Sequence, residues 1–209
     1  MARWIERLVA ITALSTVAAT VPLLAFGGRV AAVRTNSGRV HAAIEIEGAF
    51  GATQRTILER GGTLHVRVEA GVWEDRAVFD RAVDSAHVTI FRVIRNPNGS
   101  ALGLVDPGGT VVTYKPYPDR LMLEVDTCAL DQLDQDAKYY VDGTVTIGSL
   151  GEDELDEARE AVFGREDDPA GLKRVGKFLL NSVLQVKDYV DSVSTEIRSG
   201  RFSRKTLKP

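Results

Sequence analysis

The chain has few of the residues from which disulfides, metal centres and redox sites are built. It contains one cysteine, Cys128, so an internal disulfide is excluded and the folded part depends on its hydrophobic core. A lone cysteine of this kind is expected to be a buried thiol. No cysteine follows the N-terminal apolar run, which argues against a lipid-modified N-terminus. The formal net charge of −3 is too small to favour nucleic acid as a partner.

Groups that bind metals are sparse and poorly spaced. The three histidines form no HxH or HExxH pattern, although His41 and His65 fall on the polar faces of neighbouring predicted strands, where they could approach one another. A group of aspartates lacks the order and the glycine of an EF-hand loop, so loop and capping roles are expected for it: Asp131, Asp134, Asp136 and Asp142.

Catalytic motifs are absent as well. The sequence has no GxSxG motif, no phosphate-cradling glycine loop and no Cys–His pair. We therefore predict no catalytic residue, no metal site and no cofactor, and we expect a protein that is not an enzyme. An enzyme would need an acid, base or nucleophile set that the sequence does not display.

The N-terminus carries the clearest signal in the chain. Arg3 and Arg7 precede the uncharged run Leu8–Phe26, and Val30-Ala31-Ala32 has the small–x–small spacing that signal peptidases accept. The run is longer than the ~7–15 residues of a usual signal core and close to the ~20 of a spanning helix. Residues 1–32 are therefore predicted to be a signal peptide or a membrane anchor. The remainder is expected outside the cytoplasm, either periplasmic or anchored in the cytoplasmic membrane.

Residues 39–150 show the period-two alternation of strands that are buried on one face. Seven short strands are predicted, with a helix over 51–60 that ends at Gly61-Gly62: 39–47, 63–73, 86–95, 101–105, 110–114, 120–126 and 138–148. Glu74–Ser85 fits either a bent strand or a short helix. The pattern predicts a mainly β domain, an antiparallel β-sandwich of immunoglobulin-like type or a small barrel.

The composition changes after residue 150. Residues 151–168 are strongly acidic and are predicted to be a linker or a short helix. Residues 169–199 are predicted to form a long amphipathic helix, because apolar residues recur at steps of four and three: Leu179, Val183, Val186, Val190, Val193 and Ile197. Packing on its own sheet, pairing with a partner helix and lying on a membrane surface all remain open for this stripe.

The last segment, residues 200–209, is a basic tail that includes Arg201, Arg204 and Lys205. It is expected either to be a solvated end or to contact anionic head groups or an acidic partner. Together with the apolar stripe it forms the predicted interaction element.

Four segments resemble a bacterial family of exported proteins of unknown function, in which a helix–Gly–strand unit leads an all-β body. They are Ile57–Trp73, Cys128–Leu133, Lys138–Gly148 and Ser199–Phe202. The resemblance implies an envelope protein and carries no catalytic residue. We therefore expect a non-enzymatic binding, scaffold or accessory protein of the cell envelope. The alternative is a carrier of a small ligand or lipid, with an apolar pocket between the sheet and the C-terminal helix.

Overall fold

The computed structural model describes residues 25–96, 101–149 and 190–208. In these ranges the chain is mainly β and forms two antiparallel sheets around one hydrophobic core. The strands are β1 (Gly27–Asn36), β2 (Arg39–Glu47), β3 (Leu64–Glu74), β4 (Arg81–Ala82), β5 (His87–Arg95), β6 (Leu102–Val105), β7 (Val111–Tyr114), β8 (Arg120–Ala129), β9 (Tyr139–Ser149) and β10 (Val190–Arg198). One helix, α1 (Ala52–Glu59), joins β2 to β3, and short 3-10 turns lie at Leu130–Gln132 and Arg204–Thr206.

The smaller sheet has the order β1-β2-β8, and the larger has the order β10-β9-β3-β5-β6-β7 with β4 paired to β3. The β1–β2 hairpin turns at Ser37 and Gly38, whose φ angles are +50° and +77°. Two consecutive positive φ values match the turn geometry that follows the natural twist of a hairpin. The small sheet therefore begins with a tight hairpin and is completed by β8, far along the chain.

The alternation predicted for the strands is confirmed by their burial. Apolar residues at every second position of the central strands are 3% exposed or less and fill the space between the sheets: Val40, Ala42, Ile44 and Ile46 on β2, Leu64, Val66 and Val68 on β3, and Leu121, Leu123 and Val125 on β8. Cys128 is buried among them, as expected, and burial raises the pKa of its thiol to about 11. All seven predicted strands and the short helix are present.

The ambiguous stretch 74–85 contains neither a long strand nor a helix. It is a loop followed by the two-residue strand β4, which pairs Trp73 with Ala82 and Glu74 with Arg81. The chain therefore reverses at this end of β3 and projects residues 75–80 beyond the sheet.

The N-terminal segment was predicted to extend to residue 32, but the β domain already begins before that residue. Residues 27–32 belong to β1, which pairs with β2 from Gly27↔Glu47 to Asn36↔Arg39. A cut after Ala32 would divide this strand. The small residues that resemble a peptidase site are those of a strand whose Gly28 lies against Thr195 and Ile197 of β10. The domain thus begins earlier than residue 39, and residues 1–24 lie outside the described ranges.

The predicted helix over 169–199 is wrong for its last third, because Val190–Arg198 is strand β10, paired antiparallel with β9. The helical spacing was misleading for a geometric reason. Val193 and Ile197 are an even number of residues apart, so a strand also places them on one face. The odd step from Val190 to Val193 coincides with a shift of register between those residues. Residues 169–189 lie outside the described ranges.

Strands β9 and β10 pair with each other directly next to the segment 150–189, since Val190 pairs with Ser149. Both ends of the intervening segment 150–189 therefore meet the sheet at the same place. The predicted acidic linker over 151–168 falls entirely within that segment. No helix in the described ranges is long and apolar enough to cross a bilayer.

Candidate interaction surface

The structure separates the residues of the predicted interaction stripe. Leu179, Val183 and Val186 lie outside the described ranges. On β10, Ile197 is 1% exposed and packs against Gly28, so it belongs to the core of the domain. Val193 is 36% exposed at the sheet edge. Of the described members of the stripe, Ile197 is therefore inaccessible to a partner.

The basic tail is bound to the body of the domain rather than extended into solvent. Phe202 exchanges both backbone hydrogen bonds with Tyr139, each 2.8 Å long. Arg204 donates through Nη1 to the carbonyl oxygen of Leu133 at 3.0 Å, and Lys205 forms an ion pair with Asp136. The expected solvated end is thus a folded segment along the body, and its Arg204 and Lys205 already have partners in the chain.

The segments that carry the family resemblance meet at one end of the larger sheet. Trp73 pairs with Tyr140, which places the end of the first segment beside the start of the third. The Ser199 hydroxyl accepts a hydrogen bond from the Val141 amide at 2.8 Å, which joins the fourth segment to the same strand. The amide of Asp134, just after the second segment, donates to the Tyr139 hydroxyl at 2.7 Å. A common structural site therefore underlies these separate segments.

Two large apolar side chains project into solvent at this end of the sheet. Val78 is 78% exposed and Phe79 is 83% exposed, within the loop Asp75–Asp80. We call this segment the β3–β4 loop. Apolar side chains this exposed gain little from folding, and an adjacent pair of them on a loop makes the loop a candidate contact surface.

The carboxylate of Asp80 closes the β3–β4 loop. One oxygen, Oδ1, accepts the backbone amide of Arg76 at 3.1 Å, and the other, Oδ2, accepts the Tyr140 hydroxyl at 2.7 Å. These two bonds hold the pKa of Asp80 below its ordinary value, the Tyr140 hydroxyl having the larger effect. Asp80 is therefore ionised at neutral pH and ties both ends of the loop to β9.

Further contacts fix the first half of the loop. The Asp75 amide donates to the Lys138 carbonyl at 2.8 Å, and its carboxylate receives Arg201 at two points, 2.8 Å from Nε and 3.0 Å from Nη2. The Glu74 carboxylate forms ion pairs with two arginines, with Oε2 2.9 Å from Nη2 of Arg76 and 2.8 Å from Nη2 of Arg81. The hydrogen bond from Arg76 is the main reason that the pKa of Glu74 is lowered.

Tyr140 supports the site from below. Its ring lies 4.1 Å from the guanidinium carbon of Arg198, a cation–π contact, while its hydroxyl binds Asp80. Burial is the main cause of the raised pKa of Tyr140. An open cleft of about 430 Å³ lies beside the ring and is lined by Asp75, Asp80, Tyr140, Arg198, Ser199, Gly200 and Arg201.

The charges around the loop are layered. The carboxylates of Glu74 and Asp75 are 12% and 21% exposed, whereas the arginines that cover them are 44–68% exposed: Arg76, Arg81 and Arg201. Three exposed guanidinium groups therefore lie on and next to the β3–β4 loop that carries Val78 and Phe79, with their counter-ions beneath them. This arrangement suits a partner with an apolar pocket and acidic groups at its rim.

The histidines and aspartates considered as metal ligands do not come together in the structure. His41 lies on the small sheet, 2.8 Å from Asp126, whereas His65 lies on the larger sheet, so the expected approach of the two histidines is wrong. Asp136 and Asp142 are paired with Lys205 and Arg198. Within the described ranges no group of three potential ligands could hold a metal ion.

Sequence reasoning missed the β3–β4 loop. The spacing of residues 74–85 fits both a bent strand and a short helix, so it does not predict an exposed loop. A weak signal is present, since Val78-Phe79 has charged residues close by on both sides: Asp75, Arg76, Asp80 and Arg81. A short apolar pair among so many charges is compatible with an exposed loop, but the sequence alone does not distinguish this from a strand or a helix.

Comparisons of the chain with protein-family models, with curated proteins and with solved structures found no match. Function must therefore be inferred from the geometry of the chain itself.

Proposed function

We propose that the protein is a non-enzymatic interaction module of the bacterial cell envelope, and that the β3–β4 loop is its contact surface. The single observation that carries the proposal is the exposure of Val78 and Phe79 on a loop whose base is fixed by Asp80, Tyr140 and Asp75. A rigid loop loses little conformational entropy on binding, so its apolar side chains act as preformed anchors. The β domain is of sandwich type, with its two sheets facing each other.

The envelope location rests on the arginine-flanked apolar run that precedes the domain. The family resemblance supports the same location. The partner is an envelope protein that offers an apolar pocket rimmed by acidic groups, because the loop that carries Val78 and Phe79 also holds exposed arginines at its base. Leu179, Val183 and Val186 remain a predicted second contact on the same molecule, and a membrane surface remains the competing partner for both elements.

The carrier alternative has less support. Its pocket was expected between the sheet and a C-terminal helix, but the described end of that helix is β10. The space between the two sheets is filled by side chains that are almost wholly inaccessible, among them Ile44, Leu64 and Leu123. Organic extraction followed by mass spectrometry tests this alternative, which requires a stoichiometric lipid.

The proposal is tested by site-specific photo-crosslinking in living bacteria. A photoreactive phenylalanine analogue at position 79 is expected to give a discrete protein adduct that mass spectrometry identifies. The same analogue at Met122, which is 45% exposed on the other sheet, is the matched control and is expected to give none. Adducts with lipid alone, equal adducts at both positions or no adduct at 79 would contradict the proposal.

The identified partner then permits a measurement of affinity. Phe79→Ala is expected to weaken binding of the purified partner by about 2 kcal/mol, the size of a central hot spot, or about 30-fold in Kd. It should leave the free energy of unfolding within about 0.5 kcal/mol, because the ring is exposed. Met122→Ala is expected to change neither value, and an equal loss of affinity for both variants would place the contact elsewhere.

A further inference from the structure

Strand β7 (Val111–Tyr114) forms one edge of the larger sheet, where β6 is its only partner strand within the described ranges. Val111 and Val112 are 54% and 50% exposed, and as neighbours on a strand they project from opposite faces of the sheet. The apolar surface continues inward on one face, because Val111 lies beside Ile94, which is 37% exposed, where both side chains close over Gly103. The edge therefore presents apolar side chains on both faces.

The hairpin that joins β6 to β7 shows which backbone groups of β7 face outward. The Asp106 amide donates to the Thr110 carbonyl at 3.0 Å, so these residues form a hydrogen-bonded pair of the antiparallel ladder. Hydrogen-bonded and non-hydrogen-bonded pairs alternate along such a ladder, so Val112 directs its amide and carbonyl toward β6. Val111 and Thr113 direct theirs away from β6. Within the described ranges these outward amides and carbonyls have no backbone partner.

The other outer strands are protected in ways that β7 is not. β1 and β10 lie against each other, with Gly28 of β1 next to Ile197 of β10. β8 carries exposed charged residues at alternate positions, a common protection against edge-to-edge pairing: Arg120, Glu124 and Asp126. β7 has no charged residue, no proline and no register shift against β6. It is therefore an edge that can accept another strand.

A second copy of β7 satisfies the outward groups of the first. When two copies run antiparallel around a two-fold axis through Val112, Val111 of each copy lies opposite Thr113 of the other. These are the residues whose amides and carbonyls face outward, so each such pair exchanges two hydrogen bonds. Val112 lies opposite its own copy, and β-branched side chains at such cross-strand positions stabilise a sheet. No charged side chains meet within β7, and the net charge of −3 causes little repulsion between copies.

We propose that β7 is the interface through which two copies of the chain pair, so that their larger sheets join edge to edge. The strand is short, so the association is weak and depends on protein concentration. The interface is separate from the β3–β4 loop, and one dimer therefore carries two such loops. A partner with two binding sites would then be held by avidity.

Disulfide trapping in the full chain tests the register. Val112→Cys is expected to give a covalent dimer on a non-reducing gel after oxidation with copper phenanthroline, because the two Cα atoms at position 112 are about 4.5 Å apart in a non-hydrogen-bonded pair. Val111→Cys is the matched control at a position of similar exposure. Its two Cα atoms would be about 8 Å apart, too far for a disulfide, so about tenfold less dimer is expected. Cys128 does not interfere, because it is buried and its thiol pKa is raised to about 11.

A backbone substitution tests the hydrogen bonds. Thr113→Pro removes an outward amide and leaves the bonds between β7 and β6 in place, as proline at a sheet edge does. Added to Val112→Cys, it is expected to lower the yield of covalent dimer about tenfold, because two hydrogen bonds are lost per dimer. Thr113→Val in the same background keeps the amide and is expected to keep the yield.

Charges placed on the two-fold axis test whether the contact is between copies of β7. Val112→Glu and Val112→Lys each bring like charges together, so full chains of either variant with two different tags are expected not to co-purify. A Val112→Glu chain and a Val112→Lys chain are expected to co-purify with each other. Circular dichroism of each variant is expected to show the β signal of the wild type.

Three results would overturn the proposal. Equal yields of covalent dimer from Val111→Cys and Val112→Cys would indicate random collision in place of a fixed register. Co-purification of two Val112→Glu chains would place the interface elsewhere on the molecule. The absence of a covalent dimer of Val112→Cys would show that copies do not pair through β7.

Discussion

Some single residues of this protein have structural roles that cannot be predicted from the sequence around them. Asp80 closes a loop because its two carboxylate oxygens reach groups on different elements, Arg76 and Tyr140. Gly143 is required in the middle of β9 because a Cβ there would lie within 3 Å of Ala70 and of the Glu69 backbone. Neither role follows from residue type, since both depend on which strands become neighbours.

His65 makes stability depend on pH. Burial, with a smaller effect from Arg92, lowers its pKa from 6.5 to about 4. Below pH 6.5 the unfolded chain binds a proton at this histidine that the folded chain excludes until about pH 4. The free energy of unfolding is therefore expected to fall as the pH drops through this window, by about 3 kcal/mol in total.

Urea unfolding of the wild type and of His65→Gln at several pH values measures this contribution of His65. The difference in the pH dependence of the two proteins is expected to appear between pH 6.5 and pH 4 and to be absent above it. His41→Gln is the control, and it should retain the dependence because His65 is still present. Parallel curves for the wild type and His65→Gln would show that His65 titrates normally in the folded state.

At the scale of elements, the strands with two-fold alternation and flanking turn residues were predictable, and so was α1. The elements at either end of the domain were not. β1 is preceded by an apolar run and is rich in small residues, so its composition favoured a peptidase site. β10 combines Val193, Thr195 and Ile197, which suit a strand, with a spacing that also fits a helix. Whether such a segment forms a strand depends on the strand with which it pairs, and a local sequence pattern does not show that partner.

Substitution on β10 distinguishes a strand from an exposed helical stripe. Ile197→Asp is expected to unfold the domain, because a charge at a position that is 1% exposed costs several kcal/mol, comparable with the whole stability. Val193→Asp, at a position that is 36% exposed, is expected to cost about 1–2 kcal/mol and to leave a cooperative transition. Thermal unfolding followed by circular dichroism makes the comparison. Equal effects of the two substitutions would favour the helical stripe.

At the scale of the whole molecule, β1 limits where the predicted N-terminal signal or anchor segment could be cut. A chain that starts at Val33 would lose six residues of β1, from Gly27 to Ala32, together with the ion pair of Arg29 with Glu45, whose side chain is 8% exposed. Because β2 would lose most of its partner strand, we expect the native protein to retain Gly27–Ala32 whether or not residues before them are removed.

Intact mass spectrometry of the native protein from soluble and membrane fractions tests this expectation. A shortened soluble form with β1 complete would indicate a free periplasmic protein, and a full-length form in the membrane fraction would indicate a tethered one. A mature form that begins at Val33 would contradict the role assigned to β1. Recombinant chains that start at Gly27 and at Val33 provide the matched pair, of which only the first is expected to melt cooperatively.

The meeting of β1 with β10 has a consequence for biosynthesis. Gly28 is near the start of the domain, and the side chains that cover it, Thr195 and Ile197, are among the last to be synthesised. A polypeptide interrupted before Val190 would leave the edge of β9 unpaired and the core open at Gly28. Such a fragment would be a substrate for proteases, so the domain becomes resistant to degradation only when its final strand has been synthesised.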